Sequence, residues 1–349
     1  MQRILYEQND YPVLQNRVYD SVAEARQCPR GDIKIVEDME TGLIYNTGFR
    51  PELMKYNSSY NNEQALSPHF RSHLDEVECI IEQYLGRNNL VEVGCGKGYF
   101  LEMLLERKFD VVGFDPAYEG ENPRVVKEYF RPGVMKPSRG LILRHVLEHV
   151  PDPVGFLRQL RDANGGSGLI YIEVPCFDWI CEKRAWFDIF YEHVNYFRMH
   201  DFQRMFGQVA ASGRLFGNQY FYVVADLGTL NMAAFTQSES IDFPGDFLRS
   251  LTRAEQGGTE HACVWGGASK GVIFSLMRER IGKPVSTVID VNPAKQGKFL
   301  PATGLQVQSP SEALAELPAG ATIYVMNSNY LEEIRAASNH MFNYVGIDQ

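Results

Sequence analysis

One ten-residue segment limits what this chain can fold into. Val91-Glu92-Val93-Gly94-Cys95-Gly96-Lys97-Gly98-Tyr99-Phe100 runs from a short apolar strand through three alternate glycines into a helix. Glycine allows the positive φ values of such a turn and lets a ligand approach the backbone without a Cβ clash. A strand, a glycine turn and a helix form the repeating unit of a doubly wound α/β sheet. Helical spacing of Phe70, Leu74, Val77, Ile80, Ile81 and Tyr84 predicts a helix ahead of it, with Ser67 as N-cap and Pro68 in its first turn. The alternation then continues, with strands expected at 110–114, 140–144 and 168–174 and a helix at 154–163.

The spacing of the glycines selects the ligand. A dinucleotide loop reads Gly-x-Gly-x-x-Gly, whereas here the pattern is Gly-x-Gly-x-Gly with an acid, Glu92, just before it. A carboxylate beneath the loop suits a ligand carrying an ammonium and a sulfonium better than one carrying a pyrophosphate. Asp115 closes the next strand, where an acid can accept hydrogen bonds from both ribose hydroxyls. S-adenosylmethionine is therefore the expected cofactor. Its candidate contacts are Glu92, Gly94, Cys95, Gly96, Gly98, Asp115, Pro116 and His145.

Length and charge bound the rest. A chain of 349 residues holds two or three domains. We divide it into a small β-containing module (1–68), a cofactor-binding domain (69–228), a helical connector (229–260) and a Rossmann-like α/β domain (261–349). The formal charge of −10 argues against nucleic acid, whose phosphates require clustered Lys and Arg. No run of about eighteen apolar residues suggests a membrane span, and the N-terminus lacks the apolar stretch of a signal peptide. Six scattered cysteines read as reduced thiols, which together with these points predicts a cytoplasmic protein.

Two clusters follow strands of the sheet. The first is Arg144-His145-Val146-Leu147-Glu148-His149-Val150-Pro151-Asp152-Pro153, and the second is Asp188-Ile189-Phe190-Tyr191-Glu192-His193-Val194-Asn195-Tyr196-Phe197. Ligands in such sheets bind beyond the carboxyl ends of the strands, so both segments should line the cleft. Methyl transfer from a sulfonium is a displacement in which the enzyme supplies alignment and, where the acceptor carries a proton, a base. His193 beside Glu192 suits that work, and His149 and Tyr191 are further catalytic candidates. No ligand spacing marks a metal site among them, and none is expected. A second glycine loop, Gly266 to Gly271, also follows a strand and opens a helix. It can hold a phosphate or sugar group, with Lys270 as a substrate contact, or simply pack a helix on its sheet.

Together these segments resemble the S-adenosylmethionine-dependent sugar C-methyltransferases that act on nucleotide-linked deoxysugars. The resemblance runs from the Glu92–Gly98 loop through Leu147-Glu148-His149-Val150-Pro151-Asp152 and Tyr191-Glu192-His193. It continues into Trp265-Gly266-Gly267-Ala268-Ser269-Lys270-Gly271 and Ile289-Asp290-Val291-Asn292-Pro293-Ala294-Lys295-Gln296-Gly297. It implies a class I methyltransferase domain flanked by an N-terminal module and a C-terminal Rossmann-like domain, with a small substrate, a nucleotide ketosugar, between them. It also implies that the Glu192–His193 pair removes a proton from the carbon next to a ketone, and that His149 with Tyr56 or Tyr60 meets the substrate. Two departures stand out. Cys28 is the only cysteine before Cys79, so the family's four-thiolate zinc site cannot form and no zinc is expected. Phe190 also stands where the family often has a tyrosine, which leaves N- or O-methylation of another small metabolite as the alternative. Oligomeric state has no signature in the sequence.

Overall fold

The computed structural model describes residues 1–54, 67–253 and 262–349. The chain opens with three antiparallel strands, β1 (Gln2–Pro12), β2 (Arg30–Asp38) and β3 (Ile44–Asn46). A helix, Pro68–Leu85, follows with the expected start, the Ser67 hydroxyl accepting from the Phe70 N–H at 3.3 Å. Its Phe70, Leu74, Val77, Ile81 and Leu85 are buried along one face. That face closes on the central sheet tightly enough that a Cβ on Gly140 would lie 2.6 Å from Leu85 Cδ2.

The central strands are β4 (Leu90–Val93), β5 (Val111–Phe114), β6 (Val125–Val126), β7 (Gly140–Arg144) and β8 (Leu169–Pro175). Next come β9 (Asn195–Tyr196), β10 (Val209–Leu215) and β11 (Tyr220–Asp226). Seven of these form one sheet in the order β10-β11-β8-β7-β4-β5-β6, with β11 antiparallel to both neighbours. β4 pairs in parallel with β5 on one side and β7 on the other. The connections therefore reverse direction at β4, and the crevice beyond its carboxyl end is where such sheets bind ligands. β9 leaves this sheet and pairs with β3, so the chain just after Glu192 and His193 is fastened to the N-terminal sheet.

The last five strands, β12 (Ala262–Trp265), β13 (Thr287–Ile289), β14 (Val307–Gln308), β15 (Thr322–Val325) and β16 (Asn343–Gly346), form an all-parallel sheet in the order β14-β13-β12-β15-β16. Here the reversal falls at β12. The helix Ser269–Arg280 that follows the second glycine loop buries Val272, Ile273, Phe274, Leu276 and Met277. It is buried on every side from Gly271 to Arg278 because it lies between its own sheet and the central domain, where Phe274 stacks on Trp186 at 5.8 Å. Among the described residues of the segment expected as a helical connector, helix consists of the end of the turn Leu227–Thr229, the turn Gln237–Glu239 and the helix Arg249–Arg253. Pro244 and Gly245 between them interrupt any longer helix. Among the described residues no helix is long and apolar enough to cross a membrane.

Candidate functional site

The crevice begins with the glycine loop after β4. Gly94, Gly96 and Gly98 have φ values of 73°, 55° and 82°, all in the left-handed region. At Gly94 space matters as well as torsion, since a Cβ there would lie 2.5 Å from Val146 Cγ2. The Gly96 N–H donates to Asp115 Oδ2 at 2.8 Å, and Ala117 N–H donates to Oδ1 at 2.8 Å. This latch ties the loop after β4 to the one after β5. Pro116 is exposed beside it, while the Cys95 thiol packs inward, 2.8 Å from where a Gly113 Cβ would stand. Burial pushes that thiol far above its ordinary range, so it is an inert packing group.

Glu92 is buried, and its Oε2 has no hydrogen-bond partner among the described residues. Burial pushes its carboxyl up to about 7, with Arg144 pulling it down and Asp115 pushing it up. Such a group is short of donors, which an incoming ammonium would supply. The open glycine cradle, the donor-starved acid and the second acid at Asp115 together fit S-adenosylmethionine. When bound, that cofactor supplies a methyl group on a sulfonium.

Beneath the crevice lies a buried carboxylate that no motif in the sequence marks. Glu173, fully buried in β8, accepts from His73 Nε2 at 2.9 Å, Arg144 Nε at 3.1 Å, His145 Nε2 at 3.0 Å and the Tyr171 hydroxyl at 2.8 Å. Burial alone would raise its pKa, but Arg144, His145 and His73 hold it well below the usual carboxylate range. The available signal was a single acid within Leu169-Ile170-Tyr171-Ile172-Glu173-Val174, an otherwise apolar central strand that cannot bury a charge without partners. His145 stands between Glu173 and Glu148, whose Oε1 is 3.4 Å from its Nδ1. Burial disfavours its charge, yet the two carboxylates raise it to about 9, so it is an imidazolium at neutral pH.

The next turn brings the two sequence clusters together. His149 Nδ1 donates to the Glu192 carbonyl at 2.8 Å, and its ring meets the His193 ring edge-on at 5.0 Å. The Val194 N–H donates to the Glu148 carbonyl at 2.8 Å, and Asn195 Nδ2 bridges the carbonyls of Leu147 and Val150. His193 is buried against Phe190, ring centroids 4.0 Å apart. Burial first, then the positive fields of His149, His145 and Lys270, hold its pKa well below the ordinary value. It is a neutral imidazole, the form a general base requires. The Glu192 carboxylate turns toward the N-terminal module, where Oε1 accepts the Gln15 N–H at 2.7 Å.

Tyr191 faces away from this cluster. Its hydroxyl accepts the Arg50 N–H at 2.8 Å and donates to the Gly48 carbonyl at 3.3 Å, and its ring packs on Phe49. Residues two apart share a face in an extended strand, but the turn at Tyr191 and Glu192 breaks that alternation and separates Tyr191 from His193. Those contacts make Tyr191 a strut holding the N-terminal module, apart from the His149–His193 pair. Tyr56 and Tyr60, the expected substrate contacts, lie outside the described residues.

The second glycine loop reaches the same region from the other side. Lys270 Nζ lies 3.0 Å from Asp188 Oδ2, donates to Gln219 Oε1 at 2.8 Å and sits over the Trp179 ring. All three partners belong to the central domain. Asn16 Nδ2 donates to Ser269 Oγ at 3.0 Å, so the N-terminal module also touches this loop. The Gly267 N–H donates to Asp290 Oδ2 at 2.9 Å, repeating the Gly96–Asp115 latch.

This arrangement of sheet, glycine loop and paired acids is the class I methyltransferase fold. Residues 64–209 match the family model of a methyltransferase domain, and residues 231–347 match that of a C-methyltransferase C-terminal domain. The protein is an S-adenosylmethionine-dependent methyltransferase. No curated protein matches the chain. Among solved structures, a protein of Pyrococcus horikoshii OT3 is 14% identical, over 51% of this chain and 99% of its own, with a TM-score of 0.38. A SAM dependent methyltransferase from Archaeoglobus fulgidus is 18% identical, over 46% of this chain and 100% of its own, with a TM-score of 0.34.

Proposed function

We propose that the enzyme methylates carbon, and that its acceptor is a small ketone, most simply a nucleotide-linked ketosugar. The observation that carries this reading is the neutral His193 imidazole, buried beside His149 on a turn that follows the cofactor crevice. Oxygen and nitrogen acceptors often need little more than alignment, whereas carbon needs a base to create a nucleophile. His193 takes the proton from the carbon next to the carbonyl, and the C–H electron pair becomes the enolate. S-adenosylmethionine, held by the glycine loop with Glu92 and Asp115, would supply the methyl group to that carbon and leave as S-adenosylhomocysteine, and the His193 imidazolium returns its proton to water. His149, oriented by the Glu192 carbonyl, is placed to hold the acceptor's oxygen. Lys270 and the loop Gly266–Gly271 suit the phosphates or sugar of a nucleotide-linked substrate.

The match of residues 231–347 to a C-methyltransferase C-terminal domain supports the choice of carbon. The test is turnover with methyl-labelled S-adenosylmethionine against nucleotide ketosugars, the corresponding reduced sugars, and amine and hydroxyl acceptors. Label on carbon, with ketosugars alone, is the expected result. Label on nitrogen or oxygen would replace this reading with the N- or O-methyltransferase alternative.

A further inference from the structure

Glu148, His149 and His193 each place one ligating atom so that all three lie within 4.8 Å of one another. We propose that they form a binding site for a divalent transition-metal cation of the zinc class, and that this cation inhibits the enzyme by occupying His193. Two imidazole nitrogens and one carboxylate oxygen are a donor set that zinc takes, leaving a fourth position open. Magnesium and calcium favour oxygen ligands throughout and fit poorly. No short spacing marks this site in the sequence, because His149 and His193 stand 44 positions apart and meet only through the pairing of two loops.

Each ligand is prepared for a cation in its own way. His149 donates Nδ1–H to the Glu192 carbonyl at 2.8 Å, the outer hydrogen bond that orients metal-binding histidines and leaves the Nε2 lone pair outward. Glu148 is buried with Oε1 beside His145, while its Oε2 has no hydrogen-bond partner among the described residues. A buried carboxylate oxygen without a donor is costly, and a cation relieves that cost. The His193 ring is held by ring contacts with His149, Phe190 and Tyr196. Tetrahedral zinc at about 2.0–2.1 Å from its ligands sets them roughly 3.4 Å apart, so closure needs side-chain rotations on the order of 1 Å. The backbone links from Val194 to Glu148 and from Asn195 to Leu147 and Val150 already hold the two loops in register.

Binding and inhibition are separable, and the inhibitory half rests on the proposed use of His193 as the base. Protein stripped with a chelator is titrated with zinc chloride by calorimetry and with cobalt(II) by visible absorption. One equivalent is expected to bind and to suppress methyl transfer reversibly. His149→Asn, His193→Asn and Glu148→Gln should each weaken binding at least tenfold. His340→Asn, at an exposed position, should leave it unchanged. Retained affinity for S-adenosylhomocysteine shows that each variant is folded. Absence of saturable binding, or affinity in the two His variants equal to that of the native protein, overturns the site. Stoichiometric binding that leaves turnover untouched overturns the inhibition and, with it, the role of His193 as base, while the site itself stands.

Discussion

The Nδ1 of His149 donates to the backbone carbonyl of Glu192 at 2.8 Å, joining the loop after β7 to the segment that ends in β9. That bond fixes one imidazole and places the next, His193, against it. Because β9 pairs with β3, the same segment also carries the N-terminal module. Geometry at the cleft and attachment of the small domain therefore depend on one stretch of chain.

Glu92 should make cofactor binding depend on pH. Its carboxyl is raised to about 7 in the fold, above an unfolded value near 4.5, so the folded state holds this proton more tightly. Its contribution to stability is fully present below about pH 4.5 and is lost as pH rises through about 7, amounting to at most about 3 kcal/mol. A cofactor ammonium favours the ionised form, so affinity should rise across the same window. Calorimetric titrations with S-adenosylhomocysteine from pH 6 to about 8.5 are expected to show this slope in the native protein. Glu92→Gln should bind more weakly, without the slope, and be more stable at alkaline pH.

The glycines of the loop should not be equivalent. Gly94→Ala meets Val146 at 2.5 Å as well as an unfavourable torsion, whereas Gly96→Ala meets nothing within 4 Å and carries only its φ of 55°. Gly96→Ala is expected to cost about 1 kcal/mol of stability. Gly94→Ala should cost more and displace the loop, weakening cofactor binding more than tenfold. Denaturant titration and calorimetry of both variants give the comparison.

Glu173 should be the most sensitive polar position beneath the cleft. Glu173→Ala leaves Arg144 and His145 buried without their shared carboxylate, and a loss of roughly 3–5 kcal/mol is expected. The sign with pH is opposite to that of Glu92. The pKa of Glu173 is depressed in the fold, so its contribution is present above the unfolded carboxylate value and disappears as pH falls through the folded one. Acid unfolding of the native protein should therefore be steeper than that of Glu173→Gln.

Tyr191→Phe separates a strut from a reacting group. Loss of its bonds to Arg50 and Gly48 should cost about 1 kcal/mol of stability. The value of kcat should remain within about twofold, since uniform positioning is retained. A fall in kcat of a hundredfold or more would return Tyr191 to the chemistry.

Much of the architecture was legible because its signals are local. The strand and glycine loop at Leu90–Gly98, the Ser67 cap and the strands Gly140–Arg144 and Ala262–Trp265 all carry periodicity or turn chemistry in a few residues. The hairpin of β10 and β11 was missed. Its first strand, Val209-Ala210-Ala211-Ser212-Gly213-Arg214-Leu215, is an edge strand poor in β-branched residues. At the site, sequence spacing identified His149 and His193 but could not show that they touch. Nor could it show that Tyr191 and His193, two residues apart, have different surroundings, or that Glu173 gathers four donors from three parts of the chain. Those are consequences of which strands become neighbours.

The most direct measurement is exchange of the substrate's carbon-bound proton with deuterium oxide. A nucleotide ketosugar is incubated with the enzyme and S-adenosylhomocysteine, which occupies the cofactor crevice but has no methyl group to give. Deuterium should enter at the carbon next to the ketone, at a rate roughly 10²- to 10⁴-fold lower in His193→Asn, with S-adenosylhomocysteine affinity unchanged. No exchange above the rate without enzyme, on a ketosugar that the enzyme methylates, would contradict a base-generated enolate. Equal exchange in His193→Asn would place the base elsewhere.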